Sequence, residues 1–232
     1  MTAPDRDPAR VQAMFDRVAR RYRVTNTILS GGQDTFWRRK AAAIVKGWLP
    51  TRVLDLATGS GDLARAIERA IPGVHVTGAD FSAEMLAVAR RLGSQDLVQA
   101  DALALPFAEA TFQAVTVSFG LRNMASWVDA LREMHRVLEP GGHVLILDFS
   151  VPAGPLRHLY RPYLHHVLPH LAGLLTGEGD AYRYLGDSIE AFPSGAALCD
   201  LMKEAGLIKT TAEPLTGGVV TLYTAQKPTS QI

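Results

Sequence analysis

Val53-Leu54-Asp55-Leu56-Ala57-Thr58-Gly59-Ser60-Gly61-Asp62 runs an apolar stretch into a glycine turn, and Leu63 to Ala70 continues it with helical spacing. A buried strand that passes through a tight turn into a helix is the opening of a βαβ unit. Reading outward, Ile71-Pro72-Gly73 stops the helix, and Val74 to Ala79 predicts a second strand ending at Asp80. Ser82 is placed to cap a helix through Met85, Leu86 and Ala89, and Leu97 to Ala100 predicts a third strand ending at Asp101. A fourth strand is expected over Ala114–Ser118, a helix over 127–138, a turn at Pro140-Gly141-Gly142 and a fifth strand over His143–Asp148. Strands alternating with helices give an α/β, doubly wound, largely parallel sheet.

The pattern changes after residue 150. Residues 155–190 hold Leu156, Leu159, Tyr160, Tyr163, Leu164 and Leu168 among four of the seven histidines, interrupted by Pro162 and Pro169. This stretch reads as a helical lid inserted before the last helix. Ser194 to Ala205 predicts that helix, with Ser194 as N-cap and Gly206 as the glycine that ends it. Ile208–Pro214 and Val219–Gln226, flanking Thr216-Gly217-Gly218, predict a closing antiparallel hairpin over the end of the 194–227 segment. The expected plan is one domain: a helical N-terminal segment over 1–46, a core over 53–150, the lid, and the closing helix and hairpin. The sheet should have seven strands.

Length and composition agree with a single packed domain. With 232 residues, 47% of them hydrophobic and 20% charged, the chain can bury about 70–75% of its unfolded surface. This excludes a disordered or disulfide-dependent scaffold. Cys199 is the only cysteine, so no intramolecular disulfide is available and a reducing, cytoplasmic setting is expected. Charges at Asp5, Arg6, Asp7 and Arg10 argue against a signal peptide. The net charge of +1 conceals an asymmetry: residues 1–46 carry ten basic and four acidic side chains, a net of +6, while the rest of the chain nets −5. A basic segment suits an anionic membrane surface or a solvated helix face. It lacks the dense Lys/Arg block of a nucleic-acid binder, so no nucleic-acid partner is expected.

The glycine turn carries the chemistry. Gly59-x-Gly61-x-x-Ala64 fits the relaxed dinucleotide fingerprint, with Asp80 nineteen residues after Gly61 to accept hydrogen bonds from a ribose diol. Three features favour S-adenosyl-L-methionine over a nicotinamide cofactor. Asp55, four residues before Gly59, is placed to support the loop and attract an ammonium group, with the glycine-loop amides expected as its partners. Asp101 follows the third strand at a position suited to an adenine amino group. The chain closes with a hairpin and not with a second mononucleotide-binding half, as class I methyltransferases do.

Four stretches carry a closer resemblance. They are Asp55–Asp62, Ser118-Phe119-Gly120-Leu121-Arg122-Asn123, Arg136–Gly142 and Tyr184-Leu185-x-x-Ser188-Ile189-x-x-Phe192-Pro193. Together they resemble the quinone-biosynthesis C-methyltransferases, which act on demethylmenaquinone or on the polyprenyl-benzoquinol of the ubiquinone pathway. The resemblance implies a class I fold and cofactor contacts at Thr58, Asp80, Asp101, Ala102 and Ser118, beside the glycines Gly59 and Gly61. It implies methylation of a polyprenyl quinol, demethylmenaquinol first among them. The benzoquinol reaction and methylation of another small aromatic are the alternatives. Phe15, Asp16, Tyr22, Asn26 and the Trp37-Arg38 pair also match, whereas Arg23 and Asp34-Thr35 stand where the family usually has Asp and His-Arg.

Such a reaction places a methyl group on a ring carbon beside a phenolic oxygen. Arg122 is the expected stabiliser of the developing phenolate, Tyr22 an expected hydrogen-bond donor to the substrate, and Asp148 a residue at the ligand-binding end of the fifth strand. His166 and His170 are four apart, but methyl transfer from a sulfonium needs no Lewis acid, so no metal is expected. The leucines and aromatics of the lid would suit a polyprenyl tail entering from the inner face of a membrane, although packing on the sheet or in a homodimer would equally use them.

Overall fold

Side chains alternate along β1 (Arg52–Leu56), so that Leu54 and Leu56 enter one core and Val53 another, with Asp55 buried in line with Val53. Both faces of the strand are therefore covered, as a central parallel strand requires. The computed structural model describes residues 7, 9–17, 30, 32–170, 173 and 179–229, the backbone alone for 179–182. Tyr22, Arg23 and Asn26 lie outside the described residues.

Residues 9–17 form helix α1. It is followed by α2 (Gln33–Gly47), β1, α3 (Asp62–Ala70), β2 (His75–Asp80), α4 (Ala83–Arg91), β3 (Leu97–Gln99), β4 (Phe112–Ser118), α5 (Trp127–Val137) and β5 (Leu138–Phe149). Then come α6 (Leu156–Pro162), a π-helical turn (Tyr163–Val167), α7 (Gly179–Ala191), α8 (Ala196–Glu204), β6 (Ile208–Leu215) and β7 (Val220–Gln226). The seven strands lie in the order β3-β2-β1-β4-β5-β7-β6. β1 to β5 pair in parallel, and β7 runs antiparallel between β5 and β6. The doubly wound sheet and the closing hairpin are as the sequence predicts.

Local chemistry sets the boundaries. Ser82 caps α4 by accepting from the Met85 N–H at 3.1 Å, and Ser126 caps α5 by accepting from the Asp129 N–H at 3.3 Å. Two expectations are corrected. The start of α8 is made by Gly195 at φ 61, without a side-chain cap, so Ser194 does not cap it. Pro140-Gly141-Gly142 is not a free turn. It is an irregular opening of β5, where the pairing steps from Phe112↔Leu138 to Ala114↔His143 and Gly141 takes φ 80.

One face of the sheet packs on α5 and α8 through Leu131, Met134, Leu198 and Met202. The other packs on α2 and α3 through Trp37, Val45, Leu63 and Ile67. A third, smaller cluster joins Leu164, Leu168 and Ile189 to Phe149 and Tyr163, and it seats the helices that follow β5. Pro162 has no N–H to continue the α-helical ladder, and the wider π-helical turn begins at the next residue.

The strand order reverses direction between β1 and β4. The crevice beyond their C-terminal ends is where an open α/β sheet binds ligands.

Candidate active site

Two strand ends meet at this crevice in strained backbone. Ala57, just past β1, has φ 51, and Phe119, just past β4, has φ 59, both unusual for residues with a Cβ. The two loops touch: a Cβ on Gly120 would lie 2.5 Å from the Cβ of Ala57. Only glycine at 120 lets the β1 and β4 loops pass this closely.

Beside this contact is a cavity of about 950 Å³ lined by Thr58, Gly59, Ser60, Asp80, Asp101, Ala102, Leu103 and Ser118. Five of the sequence-predicted cofactor contacts, together with Gly59, thus share one wall. The Asp80 carboxylate accepts from the Gly59 N–H at 2.8 Å and from the Ser82 N–H at 2.9 Å, which fixes its direction. Burial pushes its pKa up to about 6 against those hydrogen bonds. The Asp101 carboxylate accepts from the Leu103 N–H at 2.9 Å at the exposed rim. Val11 and Phe15 of α1 lie over the same cavity. The helix is held there by the Gln12 side chain on the Phe81 carbonyl at 3.3 Å and by the Ser82 hydroxyl donating to Asp16.

Asp55 and Gly61 stand behind this wall. Asp55, expected to attract an ammonium group, is buried beneath the loop and does not line the cavity. Its partners are not the glycine-loop amides but the Thr58 hydroxyl at 2.6 Å, the Thr116 hydroxyl at 2.7 Å and the Ala64 backbone. Burial raises its pKa to about 6. Gly61, at φ 75, caps α3 where any Cβ would come within 2.4 Å of the Ser94 hydroxyl. Both residues shape the loop from behind.

A second cavity, of about 1170 Å³, adjoins the first and shares Phe15, Arg38, Phe119 and Asn123 with it. Its walls are largely aromatic: Trp37, Phe119, Phe149, Tyr160, Tyr163 and Tyr184. Phe119 packs at 6.0 Å from Trp37 and 4.7 Å from Phe149, and the Trp37 N–H donates to the Thr216 hydroxyl at 2.9 Å. Burial pushes the Tyr160 and Tyr163 phenols up, so both stay neutral at ordinary pH.

Arg122 lines this second cavity from the loop after β4. Its Nη1 donates to Asp148 Oδ1 at 2.7 Å and to the Phe119 carbonyl at 2.6 Å, and the guanidinium lies 5.2 Å from the Phe149 ring. Asp148 is fully buried and lines neither cavity. It also accepts from the backbone N–H groups of Arg122 and Phe149, at 3.2 and 2.8 Å. Asp148, expected at the ligand-binding end of the fifth strand, thus stands behind Arg122 and holds it, along with the Phe149 N–H.

Three features of the second cavity were not assigned by sequence reasoning. They are the Asp34–Arg38 ion pair at 2.6 Å, the Tyr160–Tyr163 wall and the buried hydroxyl of Tyr184. A signal existed for Arg38 in its match beside Trp37, and for the tyrosines in their spacing of three on a helix. Nothing local marks Asp34, an acid in the first turn of a helix, as a cavity residue. Among the histidines after β5, His165 faces Asp187 and Glu190 at 3.7 and 3.3 Å, and His170 Nδ1 lies 2.6 Å from the His166 carbonyl. Among the described residues no group of three His, Cys, Asp or Glu side chains is placed to hold a metal.

The acid-edged cavity fits S-adenosyl-L-methionine in its own donors and acceptors. A buried carboxylate anchored by a loop amide faces the space where a diol would sit, and glycine-loop backbone lies beside it. Solved methyltransferases share the fold. A SAM-dependent methyltransferase of Thermotoga maritima superposes with a TM-score of 0.67 at 17% identity, covering 94% of this chain and 99% of its own. Phosphoethanolamine N-methyltransferase 2 of Haemonchus contortus, solved in complex with S-adenosyl-L-methionine, gives 0.58 at 19% identity, covering 77% of this chain and 49% of its own.

In sequence, the demethylmenaquinone methyltransferase of Thermus thermophilus is 45% identical over 221 residues, 93% of this chain and all of that one. Those of Mycobacterium marinum and Deinococcus radiodurans are 44% and 41% identical, over 97% and 98% of this chain and 97% and 100% of theirs. The profile of the ubiE/COQ5 methyltransferase family matches residues 4–227. A chain matched over that span, with relatives this similar along their full length, belongs to the ubiE/COQ5 methyltransferase family.

Proposed function

We propose that this protein is an S-adenosyl-L-methionine-dependent C-methyltransferase that converts demethylmenaquinol to menaquinol. The observation that carries the reading is the shared wall: an acid-edged cavity at the β1–β4 crevice opens onto an aromatic cavity through Phe15, Arg38, Phe119 and Asn123. A cofactor in the first and a flat, apolar ring in the second would meet at that wall. The cofactor, when bound, supplies an electrophilic methyl group on a sulfonium.

The chain's own residues supply position and charge. Asp80 would take the ribose hydroxyls, Asp101 and Ala102 the adenine edge, and Thr58, Gly59 and Ser118 the remaining backbone contacts. Trp37, Phe119, Phe149 and Tyr163 would hold the naphthoquinol ring by its faces. Holding both reactants in line can supply about 7–11 kcal/mol of the barrier, so positioning outweighs any single acid or base. Arg122 offers a fixed positive charge to a quinol oxygen in the second cavity, and Tyr22 is assigned a substrate contact from the N-terminal segment.

The lid over 155–190 would take the polyprenyl tail. Leu159 is 73% exposed on α6, which also carries the exposed Leu156, Arg157 and Arg161. Apolar side chains among cationic ones are what an anionic membrane surface attracts. Among the described residues no helix is long and apolar enough to cross a membrane, so the contact proposed is with the surface alone.

The test is transfer of label from methyl-labelled S-adenosyl-L-methionine to chemically reduced demethylmenaquinone. Product with the added methyl on the ring carbon is expected. No transfer to any quinol, or faster transfer to a non-prenylated phenol or amine, sinks the reading.

A further inference from the structure

Of the residues at the wall shared by the two cavities, Phe15 and Phe119 are apolar, and Arg38 and Asn123 carry the polar groups. Each of these two has one buried atom without a hydrogen-bond partner among the described residues: the Nε donor of Arg38 and the Oδ1 acceptor of Asn123. Buried polar atoms are normally satisfied, and leaving one unpaired is costly. An unpaired donor and an unpaired acceptor at one junction are complementary to a group that both accepts and donates, and a phenolic hydroxyl does both.

One end of the Arg38 guanidinium is fixed. Nη1 donates to Asp34 Oδ2 at 2.6 Å, Asp34 is held in turn by the Ser30 hydroxyl at 3.2 Å, and the guanidinium carbon stands 5.5 Å over the Phe119 ring. Arg38 and Asp34 side chains are only 11% and 8% exposed, so solvent screens the charge weakly. Arg122, the other cation, lines the second cavity alone, with its Nη1 committed to Asp148 and Phe119.

We infer that Arg38, oriented by Asp34, is the catalytic cation that binds the quinol oxygen adjacent to the methylated carbon, with Asn123 Oδ1 accepting a hydrogen bond from that hydroxyl in the ground state. The inference rests on the proposed quinol reaction and assigns it a second charge. A 1,4-quinol has two oxygens: the one beside the reacting carbon falls at the shared wall with Arg38, and the opposite one lies further into the second cavity with Arg122. As the ring carbon forms its bond to the methyl group, the sulfur–methyl pair returns to sulfur. The phenolic O–H proton passes to water and the oxygen takes up carbonyl character, accepting the Arg38 Nε–H. Loss of the ring C–H proton to water then restores the aromatic ring, and reprotonation of the oxygen leaves one proton released overall. Asp34 acts as a positioning residue, because its contact is with Arg38.

The test compares wild type with Arg38→Gln, Arg38→Lys and the double variant Asp34→Asn/Arg38→Gln. The double variant leaves no uncompensated carboxylate at the wall and guards against misfolding of the single change. Three readouts are taken: steady-state turnover of reduced demethylmenaquinone, the S-adenosyl-L-methionine dissociation constant, and the ionisation of bound 1-naphthol, whose phenol and phenolate absorb differently. Both Gln variants should lower kcat about 100-fold, the scale of losing one preorganised donor to a developing oxyanion, with cofactor affinity changed less than about threefold. They should raise the pH at which bound naphthol ionises by about 1–3 units, the effect of removing a close positive charge, and Lys should restore part of both changes. Wild-type kcat and an unmoved naphthol ionisation in a folded Gln or double variant overturn the role of Arg38 while the methyltransferase reading stands. If wild type transfers no methyl group to the quinol, the function itself falls, and this assignment with it.

Discussion

Arg122 and Asp148 form a buried ion pair, Nη1 to Oδ1 2.7 Å, that ties the loop after β4 to the end of β5 with 4% and 0% of the two side chains exposed. The carboxylate is satisfied by one guanidinium and two backbone N–H groups, so neither partner can be removed alone without stranding a charge. Arg122→Ala and Asp148→Ala should each cost about 3–5 kcal/mol. At about 2–4 °C per kcal/mol for a chain of this size, thermal unfolding should fall by roughly 6–20 °C. Arg122→Ala should also lower kcat more than cofactor affinity. Calorimetry and single-turnover kinetics on the same preparations separate the two effects. An unchanged melting temperature in either variant would show that the pair is not closed in solution.

The raised pKa of Asp80 makes cofactor binding depend on pH. The folded value of about 6 lies above the unfolded 3.8, so the ligand-free fold binds more protons between them. Stability from this group is therefore present at low pH and lost as pH rises through about 6, a loss of about 3 kcal/mol. Asp55, also near 6, adds in the same direction. Ribose hydroxyls donate to the ionised carboxylate and offset that cost, so the cofactor should raise the melting temperature more at pH 7.5 than at pH 5. Its affinity should weaken by up to about tenfold for each pH unit below 6. Asp80→Asn should flatten this dependence and weaken binding at pH 7.5. Isothermal titration across pH 5 to 8 checks both, and a pH-independent affinity in wild type contradicts the role given to Asp80.

The exposed face of α6 makes a separable prediction. Leu159 lines neither cavity, so Leu159→Glu removes apolar contact and adds a negative charge without touching the site. Binding to vesicles containing anionic lipid should weaken severalfold, and salt should weaken the wild-type interaction further. Turnover of a short-chain, water-soluble demethylnaphthoquinol should be unaffected. Co-sedimentation and the soluble assay together decide it, since equal vesicle binding by both proteins removes this face from any membrane contact.

The strand that opens the fold was legible because its signals are local. The apolar run from Val53, the glycines of the turn and the helix stop at Pro72-Gly73 each act within a few residues, and β1 and α3 follow them closely. The acids at the ends of β2 and β3 were legible for the same reason, since topology alone brings Asp80 and Asp101 to one wall. The burial of Asp55 follows from its strand, but its partners do not. Its hydrogen bonds reach Thr116, sixty-one residues away on the neighbouring strand, and strand order is not written in either segment. The same holds for Asp148: its place at a strand end is local information, but its burial depends on where the Arg122 loop turns. The Asp34–Arg38 pair is local in sequence, four apart on one helix, yet its importance comes from the cavity it shares with residues of β5, α6 and α7.

The close approach of Ala57 and Gly120 yields the most specific stability test. Gly120 has φ −114, a conformation open to any residue, so the barrier to a side chain there is steric alone. The obstacle is the Ala57 Cβ at 2.5 Å, with a Val117 methyl next at 3.3 Å. Gly120→Ala should therefore push the β1 and β4 loops apart, at a cost of about 1–3 kcal/mol, and weaken the cofactor cavity between them. Ala57 itself sits at φ 51, where glycine is under less strain. Ala57→Gly removes the opposing Cβ and the backbone strain together, so the double variant Ala57→Gly/Gly120→Ala should regain most of the stability and cofactor affinity lost in Gly120→Ala. The two changes should couple by about 1 kcal/mol or more, as contacting residues do. Additive losses measured by denaturant unfolding would mean that the two loops do not meet at this contact, and the shared wall of the two cavities would need to be redrawn.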